Sequence, residues 1–339
     1  MDKSFSSIPS LSWANSLYFF GEAGINIKVM NGFFDIINIS SSEKTRIKTK
    51  YAQSFLSSVK KRCIFYIAPA YSKGQLSSDK SIIYALDIED KTFEKVLIDI
   101  PHEFNSLFLS DDEEHLILIS RNGKVFRIET ANLEVENIMS LDDLKLDGCY
   151  AYHGAFYLPG QWQRTGCDTF EYVVNKNENS FFRLAINTKT KAVDVIPFNV
   201  SDEFLKHYDT IGPWCYNISD RIWGYCGSGY NNFESSDDIR KIRCEFYRSD
   251  KMLFHVTINT RIRHMVRLYS MDSGHILIHC STDSFLHLID LKTQKIKSLE
   301  IPDKEIMEVF VNEQEGYLIP TFLNGASKTV YFIKDFSEV

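Results

Sequence analysis

The residues best suited to gripping another molecule stand in four polar stretches. PAYSKGQLSSDK, from Pro69, carries Tyr71. PGQWQRTGCDTFEYVVNKNENS, from Pro159, carries Trp162, Arg164, Asp168, Phe170 and Tyr172. GSGYNNFESSDDIRK, from Gly227, carries Tyr230, Phe233, Asp237 and Arg240, and PTFLNGASK, from Pro320, carries Phe322. Trp, Tyr and Arg are the side chains that dominate binding energy at interfaces. Interspersed carboxylates and guanidinium groups add orientation. The chemistry expected of these residues is non-covalent recognition of a protein or peptide. The plainer alternative is that the rings fold back and pack beneath their own loops.

Covalent and metal chemistry has thinner support. Gly227-Ser228-Gly229 has Cys226 where a serine elbow needs its first glycine, and no strand-to-helix context. Asn232 occupies the third glycine place of a dinucleotide fingerprint. Asp237-Asp238 reads as solvated acids rather than as a cation site. His275 and His279 in HILIHC share a strand face but lie ~13 Å apart, so they cannot chelate one ion. A cross-strand pair with His287 is the remaining metal geometry, and core histidines are the plainer reading. RIRHMVRL, from Arg261, alternates Arg261, Arg263 and Met265 with Ile262, His264 and Val266. It would suit a small anion or ion pairs with neighbouring acids. No catalytic residue, metal ligand or cofactor is assigned.

Composition narrows the partners. A net charge of −7 lacks the basic footprint that offsets nucleic-acid phosphates. No run approaches the ~18 apolar residues of a membrane-spanning helix. The first residues lack the apolar core of a secretory signal. A cytoplasmic protein, monomeric by itself, is therefore expected. The cysteines number seven, are scattered and include no C-x-x-C. This reads as buried thiols in a reducing compartment rather than a disulfide framework.

The chain is dominated by short β-branched and aromatic runs. One unit recurs: a strand, a polar residue, a turn rich in Lys, Ser and Thr, and a second strand. Its copies begin at Phe34, Ile83, Phe126, Phe182, Phe246, Leu286 and Tyr331. The polar residues ending the first strand are Asn38, Asp87, Thr130, Asn187, Asp250, Asp290 and Asp335. Successive steps are 49, 43, 57, 63, 40 and 45 residues. Blades of a β-propeller repeat at about 40–50 residues. With strands lettered A to D from the axis outward, each copy is a C–D pair. The long stretches above are B–C loops, which would share one face. B strands such as Leu116–Ile119 are apolar on both faces, as in a doubly covered sheet.

The prolines repeat the pattern. Of eight, Pro9, Pro101, Pro197 and Pro302 each follow an Ile closing a D strand, and Pro69, Pro159 and Pro320 each close a B strand. Proline cannot donate to a ladder and belongs where strands stop. The last C strand ends at Asp335 with no D strand after it, whereas Ser6-Ser7-Ile8-Pro9 ends like a D strand with none before it. The N-terminal strand is therefore expected to complete the last blade and close the ring.

On these features the chain resembles the seven-bladed β-propellers of the WD-repeat-like, kelch-like and YVTN-like superfamilies. LSDDEEHLIL, from Leu109, looks like the strand–turn–strand of YVTN-type blades. The Gly-His and Trp-Asp pairs of WD repeats and the kelch double glycine are missing. The resemblance implies an all-β, seven-bladed β-propeller of four-stranded antiparallel blades in a single domain, residues 1–339. The blades fall at approximately 11–50, 51–100, 102–140, 145–196, 203–258, 262–301 and 304–337, the last completed by 4–9. The function expected is non-enzymatic recognition through the B–C loops. The alternative is a hydrolase or lyase acting on a polar or sugar-like substrate in the central funnel.

Overall fold

The computed structural model describes residues 16–20, 23–28, 33–38, 44–48, 53–58, 60–72, 75–101, 106–120, 123–141, 162–177, 180–198, 200–206, 210–228, 240–260, 266–271, 274–280, 284–301, 306–312, 317–322, 325–326 and 331–332. They form seven four-stranded sheets. The first runs β1 (Ser16–Phe20), β2 (Ala23–Lys28), β3 (Phe33–Asn38), β4 (Lys44–Lys48), and the second β5 (Gln53–Ser58), β6 (Cys63–Ser72), β7 (Gln75–Asp87), β8 (Phe93–Ile98). The third comprises β9 (Ser106–Leu109), β10 (His115–Ile119), β11 (Lys124–Glu129) and β12 (Val135–Ser140). The fourth comprises β13 (Gln163–Arg164), β14 (Thr169–Asn177), β15 (Ser180–Asn187) and β16 (Val193–Phe198).

A four-residue helix, α1 (Asp202–Leu205), precedes the fifth sheet of β17 (Thr210–Asn217), β18 (Ile222–Ser228), β19 (Arg240–Arg248) and β20 (Lys251–Thr260). The sixth holds β21 (Val266–Met271), β22 (His275–Cys280), β23 (Phe285–Asp290) and β24 (Lys295–Glu300). In the seventh, β25 (Ile306–Asn312) pairs with β26 (Tyr317–Phe322), against which both β27 (Gly325–Ala326) and β28 (Tyr331–Phe332) pair. The first six sheets are meanders in which sequence neighbours pair. The architecture is all-β and propeller-like. The proposed pairing of 4–9 with the last blade lies outside the described residues.

The chain forms two compact units, one of Asn15–Glu171 and Ala185–Asp194, the other including Tyr172–Leu184 and Val195–Val339. In the first, the second sheet is covered on both faces. Phe65, Ile67, Ile83 and Ala85 pack with Leu116, Leu118, Phe126 and Ile128 of the third sheet. The alternating residues Ile64, Tyr66, Tyr84 and Leu86 form a separate cluster with Ile47 of β4. In the other unit, Ile276 and Ile278 pack toward the fifth sheet, and Leu277 pairs its burial with Ile306 and Val309 of the seventh. Consecutive residues thus bury on opposite faces, which is why B strands read as unbroken apolar runs. Each such side chain contributes roughly 1.5–3 kcal/mol by leaving water.

The recurring polar residue acts locally. Asp87 Oδ1 accepts from the amides of Glu89 and Asp90, both at 2.8 Å, Asn187 Oδ1 from Lys189 and Thr190, and Asp290 Oδ1 from Lys292 and Thr293. Four residues after each stands a left-handed residue: Lys91 (φ 58°), Lys191 (φ 59°) and Gln294 (φ 58°). The Asx bonds bend the chain and the left-handed residue returns it to D. Two assignments shift by one or two places. In the third sheet the equivalent position is Glu129, which precedes left-handed Leu133. Thr130 instead donates to the carbonyls of Glu113 and Glu114. In the fifth, Asp250 lies inside a two-residue turn whose left-handed residue is Ser249 (φ 53°).

Candidate functional site

The second sheet carries its B–C insertion as an extension of its own strands. β5 follows β6 only as far as Ile67, and β8 follows β7 only from Ser81. Past Ile67, β6 stays with β7 through Ala68↔Ile82 and Pro69↔Ser81, where β8 still accompanies β7, and beyond a bulge the two continue alone through Tyr71↔Leu76 and Ser72↔Gln75. This is a two-stranded arm, and Pro69 falls at the bulge, where a missing N–H is tolerated. Tyr71 stands on the arm with 48% of its surface exposed, among exposed Gln75, Asp79 and Lys80. Ser77 Oγ donates to Asp79, which helps hold that carboxyl below its usual range.

The stretch from Pro159, expected as the B–C loop of the fourth sheet, is not one: Arg164 lies on β13 with Trp162 just before it, Asp168 lies in the β13–β14 turn, and Phe170 and Tyr172 lie on β14, so strands A and B carry these residues. Trp162 is 3% exposed, Phe170 1% and Tyr172 9%. Phe170 packs on Phe108 of β9 with centroids 4.8 Å apart, and burial pushes the Tyr172 hydroxyl up to about 12. Arg164 pairs with Asp111 at 2.7 Å and donates to the carbonyls of Leu109, Gly166 and Cys167. Its fork ties β13 to the turn after β9. Asp168 is half-buried, and its carbonyl accepts from the Thr188 amide and hydroxyl. These rings are buried on or beside strands A and B of the fourth sheet, neither exposed on a B–C loop nor folded beneath one.

Tyr230, Phe233 and Asp237 lie outside the described residues. Arg240 opens β19 opposite Thr260, and Phe322 closes β26 opposite Ile306 and Gly325. Ser228 ends β18 opposite Thr210, in extended strand rather than at an elbow. Residues 261–265 of the basic run are likewise outside the described residues.

The histidines are separated by the pleat. His287 stands opposite Ile278, so His279 projects from the other face of the sixth sheet. His279 is fully buried with Nε2 2.9 Å from the Ile306 carbonyl, and His287 Nδ1 lies 2.7 Å from Ser298 Oγ. The cross-strand chelating pair does not form, and both rings are core histidines with local partners.

Two features escaped the sequence reading. The first is a buried carboxylate. Glu245 on β19 is 0% exposed, and four donors converge on it: Ser201 Oγ (2.5 Å) and Arg243 Nε (2.6 Å) at Oε1, Tyr225 (2.5 Å) and Tyr247 (2.8 Å) at Oε2. Burial pushes the carboxyl up, and the donors outweigh it, leaving Glu245 below its ordinary value. Burial raises both tyrosines, Tyr247 to about 12. Trp223, Phe204 and Trp214 wall the cluster, and Arg183 stacks 5.6 Å over Trp223. The signal in RCEFY, from Arg243, is a period of two that puts Arg, Glu and Tyr on one strand face. With every acceptor position occupied, this carboxylate anchors structure rather than awaiting a substrate.

The second is covalent. Cys226 of β18 and Cys244 of β19 are direct cross-strand partners joined by a disulfide. This corrects the expectation that these cysteines are reduced thiols. They stand 18 positions apart in sequence, and only the register of β18 on β19 brings them together. Cys63, Cys167 and Cys215 are free.

No family model matches the chain, and no curated protein matches it. Among solved structures, it is similar to Kuenenia stuttgartiensis hydrazine synthase, at 7% identity and TM-score 0.61 over 96% of each chain. That likeness speaks to fold and not to activity, since 1421 chains of solved structures match. No described helix is long and apolar enough to cross a membrane. The sheets and the structural likeness together identify a fold of β-propeller type.

Proposed function

We propose that the chain is a recognition module that grips another protein or peptide through the B–C ends of its blades. The observation that carries this reading is the β6–β7 arm, which outruns both neighbouring strands and presents Tyr71 at 48% exposure. A two-stranded ribbon buries little of its own surface. An amphipathic ring held on a sheet-anchored arm is suited to insertion in a partner's pocket. Trp162, Phe170 and Arg164 lie toward the β13–β14 end of the fourth sheet, away from its B–C connection, and take no part in this reading. Cytoplasmic residence and a monomeric free state belong to the same proposal.

The test is a photo-crosslinking residue in place of Tyr71, expressed in the native cell, with Tyr71→Ala as its companion. A single stoichiometric partner is expected at position 71. Tyr71→Ala should weaken binding of that partner by on the order of tenfold or more, with an unchanged melting temperature. Absence of a discrete partner, or a partner that binds Tyr71→Ala equally well, would sink the proposal.

A further inference from the structure

We propose that Cys226–Cys244 is a reversible redox clasp set at a fork in the fifth sheet. The β18–β19 ladder runs from Trp223↔Tyr247 to Cys226↔Cys244 and stops there. Past that rung the sheet divides. β18 stays with β17 through Ile211↔Gly227 and Thr210↔Ser228. β19 stays with β20 through Arg243↔Thr257, Ile242↔Ile258 and Lys241↔Asn259 to Arg240↔Thr260. The disulfide occupies the crotch between the two halves.

Position makes this bond responsive. Both cysteines are 0% exposed and sit in a core cluster with Val256, Ile258 and Ile278. Burial alone would shield them from any oxidant. The last rung of a ladder, however, opens at far less cost than an interior one. When it opens, the thiolate of one cysteine attacks a low-molecular-weight disulfide such as oxidised glutathione, forming a mixed disulfide and releasing one glutathione thiolate. The second cysteine's thiolate then displaces the other glutathione. Two cysteine thiols give up two protons and two electrons, and one glutathione disulfide becomes two thiols. Closing the clasp removes the fraying that admitted the oxidant. Cys215, in the same cluster, is held protonated by burial, its thiol pushed up to about 12, so it competes poorly as a nucleophile.

The bond also closes a covalent ring around residues 227–243, which contain Tyr230, Phe233, Asp237 and Arg240. The redox state therefore sets the spacing of the two ends of that segment, whether or not it touches a partner.

The experiment uses the full chain purified without reductant and equilibrated with oxidised or with reduced glutathione. Each sample goes to non-reducing peptide mapping and to hydrogen-exchange mass spectrometry. A linked Cys226–Cys244 peptide is expected only in the oxidised sample. Amides of Gly227–Ser228 and Arg240–Cys244 should exchange slower there by on the order of tenfold or more, with β22 and β23 unchanged. Cys226→Ala/Cys244→Ala should exchange at the reduced rate in both buffers. If that variant does not fold, the wild-type chain in the two buffers decides the matter. No linked peptide after oxidised glutathione, or a linked peptide with unaltered exchange, overturns the proposal.

Discussion

Ser201 Oγ lies 2.5 Å from Glu245 Oε1 while accepting from the Phe204 amide at 3.1 Å, so one hydroxyl caps a helix and satisfies a buried carboxylate. Phe204, completely buried, stands edge-on to Tyr225 at 4.8 Å. The short helix α1 is too brief to hold itself together. It is fixed to the fifth sheet through these two residues. Ser201→Ala removes a cap and one of four donors to a charged acceptor. Destabilisation of about 1–3 kcal/mol is expected, seen in urea unfolding as a lower midpoint at constant slope.

Glu245→Gln tests the charge itself. The substitution leaves donors facing an amide that cannot accept from all of them. A loss of about 2–4 kcal/mol is expected near pH 7. The sign with pH follows from a folded carboxyl held below its ordinary value. Its contribution is complete above the unfolded pKa and disappears as pH falls through the folded one. The gap between wild type and Glu245→Gln should therefore narrow on acidification, measured as the difference in urea midpoints across pH. A gap that widened toward acid would show that the carboxylate is not the stabilised form.

Gly224 faces Phe246 across the β18–β19 ladder, and a Cβ there would collide with the ring at Cδ1 and Cε1. The ring is fully buried and stacked on Phe254, so it has no room to withdraw. Gly224→Ala should cost about 1–3 kcal/mol by overpacking. Adding Phe246→Leu should recover part of that loss, because the second change vacates the space the first needs. Strictly additive losses in the double-mutant cycle would refute the steric account.

The C–D turns predict a gain of stability. Lys91, Lys191 and Gln294 hold left-handed conformations without being glycine. Left-handed backbone costs a Cβ-bearing residue about 1 kcal/mol. Replacing each by Gly should stabilise by up to that amount, offset by the unfolded chain's added entropy. Asp87→Ala, Asn187→Ala and Asp290→Ala should each destabilise by roughly 1 kcal/mol through loss of two amide bonds. Thermal melts of the six single variants check both signs.

The repeat was legible because its determinants are local. Asp87, Asn187 and Asp290 announce a turn through bonds to amides two and three residues away. Leu116–Ile119 announces a doubly covered strand through an unbroken apolar run. Arg164 was legible as an interaction residue but not as to its partner. Its acceptors include Leu109 and Asp111, more than fifty positions earlier, and no local pattern distinguishes an Arg that binds outward from one that clamps two sheets.

What the sequence alone determined, then, was the alternation of short strands and turns, because strand propensity and turn chemistry act within a few residues; the prolines did not mark strand ends as expected, since Pro69, Pro197 and Pro320 lie inside β6, β16 and β26. Tertiary structure decided what lies opposite what. Cys226 meets Cys244 and Gly224 meets Phe246 because β18 and β19 pair in one register, and a slip of one residue would turn every one of these side chains to the opposite face. Glu245 became a saturated anion because Ser201, outside the sheet, and Tyr225, on a neighbouring strand, arrive at the same carboxylate. Trp162 and Phe170 are buried while Tyr71 is exposed because Trp162 leads into β13 and Phe170 lies on β14, within the fourth sheet, whereas β6 and β7 outrun their neighbours. Register and strand length are properties of the assembled sheet, and they divide chemically similar residues into core and surface.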